Sequence, residues 1–583
     1  MSIAAHITHE AVQKIGGIGA VLQGLLTTRS YNDKVDRTFL IGPLFDTGVG
    51  GSARLGEGGQ ILYSSLDGIR KTPHAATLQE IEEAYRIAVV YGKRKFEDKN
   101  TGITTFPEVI LIEASHMIPE RENLFKWRLY ERFGIDSERY ENEWGYEEYI
   151  RIAEPGYDIL CALTADQLDT PCFVISHEFM GMPFVLKAIL EGQPRMKTVF
   201  YAHEVATVRS IVEDHPGHDT RFYNVMNRTM AEGKSIGDIF GDQFWYFKHA
   251  LIEKAHLCDN IFAVGDLVVQ ELRFLSAAAR NHPIDLVYNG IPAFQVHPRE
   301  KSTSKRRLQE YAKNLLGYTP DYVITHVTRL VRSKGLWRDL QLLGNLDRLL
   351  APNGKTAVLF ILSTEIATGR SNEDAHRMEA EYGWPVHHEI GYPDLTEGEA
   401  SLNNGVVAFN QNARTIKTVF VNQFGWSRER CGVRMPEAME FMDIRKGSDV
   451  ELGQSIYEPF GIAQVEPLSF GAICVLSNVC GCRGFIEHAT DGEDVPNVIV
   501  ADYTRLDHPP DSLDGLLAIG TAERNRIEAE NSWDIAAKLL GRLPRNTRDM
   551  EEIIQRGYKI ASRMSWEVVV SDYFLPGLRR ALE

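Results

Sequence analysis

The sequence predicts an α/β protein built from two doubly wound domains, and three observations carry that reading. A chain of 583 residues is too long for a single hydrophobic core. Short β-rich runs alternate with helix-length segments in both halves, which is the pattern of a parallel sheet covered on both faces. Between the two alternations lies 296–307, VHPREKSTSKRR, a polar and basic stretch of the composition expected of a linker or domain edge.

In the first half the β-rich runs are 38–41, 109–112, 172–175, 198–201 and 260–264. Helices are expected between them, among others over 78–91 and 183–191. The Gly-rich stretch 46–57 reads as an exposed loop, and 215–241 reads as an insertion because it breaks the rhythm. In the second half strands are expected at 322–327, 357–362, 417–421 and 472–476. Helices are expected over 336–350 and 371–382, with Ser371 as N-cap of the latter. The closing segment 566–582, WEVVVSDYFLPGLRRAL, is apolar along one helical side and so needs a surface to bury against. The expected organisation is a first domain over 1–295, a second over 296–560, and a C-terminal helix over 561–583 that packs back on the first. No short internal repeat is visible.

Composition narrows the function classes. Hydrophobic residues make up 44% and charged residues 25%, which excludes a disordered chain, a collagen-like fibre and a coiled coil. A net charge of −17 argues against a broad nucleic-acid surface. The 7 cysteines are odd in number and contain no C-x-x-C pair, as expected of reduced thiols in the cytoplasm. No secretory signal and no run of apolar residues long enough to span a bilayer is seen, so no membrane is expected.

Three constellations bear on chemistry. Lys14-Ile15-Gly16-Gly17 precedes an apolar helical stretch. Glycine lets a backbone approach a phosphate closely, and a helix N-terminus offers free N–H groups. A plain strand-to-helix turn would read the same way. Arg329 and Lys334 lie in the loop after the strand ending at Val327, at the carboxyl edge where open α/β sheets bind ligands. Arg forks onto phosphate oxygens and Lys acts as a compact point charge, so together they suit a departing diphosphate. Glu458 and Glu466 are separated by seven residues in YEPFGIAQVE. If Pro459 starts a helix, Glu458 sits at its mouth and Glu466 two turns on. Half-buried acids need partners, and ligand hydroxyls would serve. His177 and His203 each follow an expected strand, again at the carboxyl edge. Cys480 and Cys482 have no matching ligand pair elsewhere, so no metal is expected. His387 and His388 read as a solvated pair.

In order along the chain, these segments resemble those of the glycogen and starch synthases and, more broadly, of the retaining glycosyltransferases with the GT-B fold. KIGGIGAVLQGL (14–25) is similar to the family's K-x-G-G-L loop, and SHEFMGMP (176–183) to its His-Asp-Trp segment, with Glu178 and Phe179 in place of Asp and Trp. YAHEVATVR (201–209) is similar to the stretch with the active-site His. VYNGI (287–291) is similar to the P-N-G segment, with Tyr288 in place of Pro. TRLVRSKG (328–335), YEPFGIAQVE (457–466) and SWEVVVSDYF (565–574) complete the series.

The resemblance implies two facing Rossmann-like doubly wound domains with a deep inter-domain cleft, the first taking the acceptor and the second a nucleotide sugar. It implies transfer of glucose from ADP- or UDP-glucose to a glucan or other hydroxyl, with retention. Arg329 and Lys334 would hold the diphosphate, Glu458 the sugar hydroxyls and Glu466 the ribose. His203 would hydrogen-bond the donor sugar. Lys14, Gly16 and Gly17 would line the phosphate end, with Arg209 assisting on the phosphate or acceptor side and Phe460 and Gly461 counted with the donor site. No metal or other cofactor and no nucleic-acid partner is implied, and a homo-oligomer is left open. Two other enzyme classes share the architecture: sugar-nucleotide epimerases, and glycan phosphorylases, which need a lysine-bound pyridoxal phosphate. A catalytically silent carbohydrate-binding relative is the non-enzymatic alternative. The segments 46–156 and 213–244 match nothing in the family.

Overall fold

The computed structural model describes residues 2–12, 16–45, 48 and 50–583. Lys14, of the Gly-rich loop, and Asp46, at the start of the 46–57 stretch, lie outside the described residues. The chain divides into two compact units. One comprises Met1–Val208, Thr229–Gly290 and Trp566–Glu583, the other Arg209–Arg228 and Ile291–Ser565. Among the described residues no helix is long and apolar enough to cross a membrane.

The first unit is built on a 10-stranded sheet. At its centre runs Ile3–Ile7, parallel to Arg37–Pro43 on one side and to Cys172–His177 on the other. Beyond Cys172–His177 follow Met196–Ala202, Asn260–Ala263 and Ile284–Leu286, all parallel. Beyond Arg37–Pro43 come Glu108–Glu113 and then antiparallel Ala88–Lys93, Gln60–Ser64 and Ile69–Arg70. Strand order therefore reverses between Ile3–Ile7 and Cys172–His177, the position at which such sheets open a binding crevice.

The central strand, IAAHI, was not among the expected ones. Its two alanines and a histidine carry little β signal, and its burial on all five residues comes from the neighbouring strands. The expected helix over 78–91 is instead Ala75–Tyr85, and Ala88–Lys93 is a strand. Arg86 adopts φ 57°, and this left-handed residue ends the helix.

The closing segment is helical and belongs to the first unit, where it meets glycines that leave room for its rings. A Cβ on Gly24 would come within 2.1 Å of the Trp566 ring, and one on Gly290 within 2.6 Å of the ring and 2.7 Å of the Trp566 Cα. Because the Cα cannot swing aside, Gly290→Ala is expected to destabilise the protein by about 1–3 kcal/mol, the usual range for overpacking. A urea titration against wild type measures it; an unchanged midpoint would mean that Trp566 relocates freely.

The second unit carries a 6-stranded, wholly parallel sheet. The order is Ile416–Val421, Ala357–Leu362, Tyr322–Val327, Val450–Gly453, Ile473–Ser477 and Val498–Ala501. Both faces are covered. Ile324, Leu359, Ile361 and Leu452 pack with Leu342, Leu346, Ile535 and Leu539. Val323, Val358, Phe360 and Val419 pack with Leu308, Tyr311, Met378 and Trp426. Burial on both faces explains why these strands read as near-continuous apolar runs. Helix Asn372–Tyr382 starts at Ser371, whose hydroxyl accepts from Asp374 N at 3.0 Å.

The stretch 296–307 is not a linker. It opens the helix Pro298–Leu316, with Pro at the first turn and His297 as a side-chain N-cap. Its buried face includes polar groups: the Lys301 Nζ donates to Ser448 O at 2.7 Å, and Ser304 Oγ donates to Asp443 at 2.7 Å. A helix face partly held by hydrogen bonds gives a weak apolar period to read. His388 is likewise not solvated: its side chain is buried between Asp394 and Phe420 O, 3.0 Å from each. The stretch read as an insertion forms helices His218–Ala231 and Ile236–Phe240, and its part up to Arg228 joins the second unit. There Thr220 donates to Tyr503 O at 2.8 Å and Asn224 to Thr504 O at 2.7 Å.

Candidate functional site

In the second unit strand order reverses between Tyr322–Val327 and Val450–Gly453. The loops leaving these two strands carry Arg329 and Lys334 on one side and Glu458 on the other, and the structure joins them. Lys334 Nζ forms an ion pair with Glu458 Oε2. The backbones are stitched as well, with Ile456 N donating to Ser333 O at 2.8 Å. Gly335 makes this approach feasible. It sits at φ 61°, and a Cβ there would stand 2.6 Å from Gln454 O.

Arg329 is exposed, and among the described residues its guanidinium has no ion-pair partner. Arg209 is half-buried and ion-paired to Glu213 at 3.3 Å. Glu213 in turn accepts Ser333 N at 3.0 Å, so Arg209 reaches the Lys334 turn through a residue that no motif singled out.

The helix expected from Pro459 begins later, as Ile462–Val465, followed by a 3-10 turn over Glu466–Phe470. Gly461 at φ 91° cannot sit inside a right-handed helix, and the residues before it pair elsewhere. Glu458 O accepts Gly481 N, and Phe460 O accepts Cys482 N, each at 2.9 Å. A Cβ on Gly481 would lie 1.7 Å from Pro459 O, so this close passage needs the glycine. The Cys480 thiol donates to Gln464 Oε1 at 3.0 Å. Gln464 also donates to Ser455 Oγ at 2.8 Å and to Glu458 Oε2 at 3.3 Å, holding that carboxylate from behind. Glu466, half-buried, accepts from Arg445 Nε at 3.0 Å, and the fully buried Arg445 also pairs with Glu451 at 3.1 Å. Burial pushes the Glu451 carboxyl up, and Arg445 opposes that shift. Arg445 and Gln464 carry no spacing signal that would have marked them.

The first unit holds Gly16, Gly17 and His203. Gly17 is the N-cap of helix Ile18–Leu26. The free N–H groups expected there for a phosphate are taken: Ile18 N and Gly19 N donate to the Glu10 carboxylate at 3.2 and 2.8 Å. The helix end is thus already met by a negative charge of its own chain. Glu10 was not foreseen, since no helix motif places a cap eight residues upstream. His203 follows strand Met196–Ala202, and its Nε2 lies 2.8 Å from His177 Nδ1. Burial, with His9 and His6 nearby, lowers the His203 pKa to about 3, so the ring is neutral. Glu178, at φ 62°, places its carboxylate under the backbone N–H groups of His203 and Glu204. Burial, and then the neighbouring Glu204, raise its pKa well above the carboxylate range.

Two Rossmann-like units, one with a mostly parallel and one with a wholly parallel sheet, each reversing its strand order once, give this chain the GT-B fold of nucleotide-sugar glycosyltransferases. Its structure is similar over its whole length to the catalytic domain of starch synthase IV from Arabidopsis thaliana bound to ADP and acarbose. The TM-score is 0.54 at 13% identity, covering 100% of this chain and 99% of that one. It is also similar to the N-terminal domain of Candida albicans trehalose-6-phosphate phosphatase, with TM-score 0.51, 10% identity and coverage of 99% and 97%. The likeness to a starch synthase agrees with the resemblance read from the motifs, and at these identities it establishes the fold. No protein-family model and no curated protein matches the chain.

Proposed function

We propose that this protein is a retaining glycosyltransferase that moves a glucosyl unit from a nucleoside diphosphate glucose to a carbohydrate hydroxyl, a glucan being the first candidate. The observation that carries the reading is the Lys334–Glu458 pair at the strand-order reversal of the second unit, with the exposed Arg329 on the same loop. A cation beside a carboxylate suits a sugar diphosphate: the cations meet the phosphate charge and the carboxylate accepts sugar hydroxyls. In this reading Arg329 and Lys334 offset the charge that grows on the departing diphosphate. Glu458, steadied by Gln464, takes the sugar, and Glu466, steadied by Arg445, takes the ribose. His203 contacts a sugar hydroxyl. Phe460 and Gly461 shape the turn that presents Glu458. The bound ADP of the starch synthase neighbour supports a nucleoside diphosphate leaving group.

The test is release of nucleoside diphosphate from a panel of ADP- and UDP-sugars, with and without added glucan. Release that depends on glucan supports transfer. Isomerised nucleotide sugar without net release of diphosphate identifies an epimerase, and binding without turnover identifies a silent relative. Activity is also expected to survive EDTA, because Arg329 and Lys334 supply the positive charge. No group of three or more His, Cys, Asp or Glu side chains that could hold a metal occurs among the described residues. Loss of activity on chelation, restored by magnesium or manganese, would refute that assignment.

A further inference from the structure

Three histidines that no motif connects form one hydrogen-bonded line in the first unit. His203 Nε2 meets His177 Nδ1 at 2.8 Å, and His177 Nε2 meets His6 Nδ1 at 2.8 Å. His6 Nε2 meets the Tyr31 hydroxyl at 3.0 Å, and that hydroxyl lies 3.0 Å from Thr38 Oγ1. The line follows from sheet register. His6 pairs with Ile175 and His177 with Tyr201, so the two-residue period places His6 and His177 on one face of adjacent strands, with His203 in line with them just past the end of strand Met196–Ala202. Phe574 of the closing segment stacks on His6 at 6.4 Å and flanks Tyr31 at 5.9 Å, and His6, Tyr31 and His177 are all buried.

Burial holds His6 and His203 down to about 3 and holds His177 well below the usual imidazole range, so each ring is neutral and carries a single N–H. A neutral imidazole donates from one nitrogen and accepts at the other. A line of three such rings has two arrangements in which every bond is made: all protons directed toward His203, or all directed toward Tyr31. The phenol decides between them. A phenol O–H is a stronger acid than a neutral imidazole N–H, and a phenol oxygen is a weaker acceptor than an imidazole nitrogen. Tyr31 therefore donates to His6 Nε2, His6 Nδ1 donates to His177 Nε2, and His177 Nδ1 donates to His203 Nε2. The His203 proton is left on Nδ1.

We propose that Tyr31, His6 and His177 are positioning residues that hold His203 as its Nδ1–H tautomer, so that it offers its ligand a hydrogen-bond donor and selects a sugar hydroxyl oxygen in the accepting role. The ligand class rests on the glycosyltransferase reading; the tautomer does not.

The experiment is a long-range 1H–15N correlation spectrum of the 15N-histidine-labelled full chain without ligand, with His203 assigned by the signals lost in His203→Gln. The expected pattern for His203 is a pyrrole-type Nδ1 and a pyridine-type Nε2. Tyr31→Phe keeps the ring against Phe574 and removes the directing hydroxyl. It is expected to give a mixed pattern, and for an even mixture the donor KM rises about twofold with kcat retained, because only half the free protein is competent. A purely structural role for Tyr31 would lower stability and leave the His203 pattern as it was. A pyridine-type Nδ1 in the wild-type protein overturns the proposal with no variant needed, and so does an unchanged single-tautomer pattern in Tyr31→Phe. The expected spectrum in a protein without transferase activity would support the tautomer and count against the proposed function alone.

Discussion

Replacing Lys334 with Ala is expected to lower turnover by roughly 100- to 1,000-fold while the fold persists, the range seen when one preorganised contact to developing charge is removed. The ammonium group sits on a turn pinned from three sides: by Gly335, by the Ser333 carbonyl bonded to Ile456 N, and by Glu213 on Ser333 N. Such pinning keeps reorganisation small when the diphosphate departs, which is the condition for a large effect. The pair with Glu458 is only partly buried, at 16% and 11% side-chain exposure, so its loss leaves a carboxylate that water still reaches. Circular dichroism and a thermal melt should therefore stay near wild type while kcat falls. Turnover close to wild type would remove Lys334 from the diphosphate assignment, whatever the effect on folding.

The Arg338→Ala variant is expected to lose about 3–5 kcal/mol of stability, the range for removing one partner of a buried ion pair. Arg338 is fully buried with Asp219, to which it donates twice at 2.7 and 3.0 Å, and with Glu528 at 2.8 Å. Its guanidinium lies 3.9 Å from the Tyr503 ring centroid and reaches the Gln454 and Ser455 carbonyls at 3.3 Å. Burial raises the Asp219 pKa even with Arg338 alongside, so without the cation this carboxylate would be buried and uncompensated. Denaturation in urea gives the stability change directly. A loss under 1 kcal/mol would show that water or protonation compensates the acids. In that event the carbonyls of Gln454 and Ser455, which lead to Glu458, would no longer depend on Arg338, and activity should survive too.

Periodicity and composition made much of this architecture readable. Runs such as TVFY at 198–201 and AVLFIL at 357–362 lie in strands Met196–Ala202 and Ala357–Leu362 because burial on both faces demands continuous apolar side chains. The stretch 329–335 marked one loop at the carboxyl end of a strand, whereas Glu458 read as the mouth of a helix, and the strand Val450–Gly453 before it was not expected. What stayed hidden was polar burial. The helix Pro298–Leu316 hides part of its inward face under Lys301 and Ser304, and His388 is buried by hydrogen bonds rather than by apolar neighbours.

The sequence by itself therefore determined two alternating α/β halves and the place of His177, His203, Arg329 and Lys334 at the carboxyl edge of expected strands, since both follow from the local period of the chain. Only the tertiary structure decided which strand ends are neighbours. The Lys334–Glu458 pair joins residues 124 positions apart, and the line His6–His177–His203 spans 197. The assignment of Arg209–Arg228 to the second unit rests on contacts such as Asp219 with Arg338 and Thr220 with Tyr503. The physical reason is the same in each case. Strand order and register in a parallel sheet are set by packing between segments far apart in the chain, and no local pattern of residues records it.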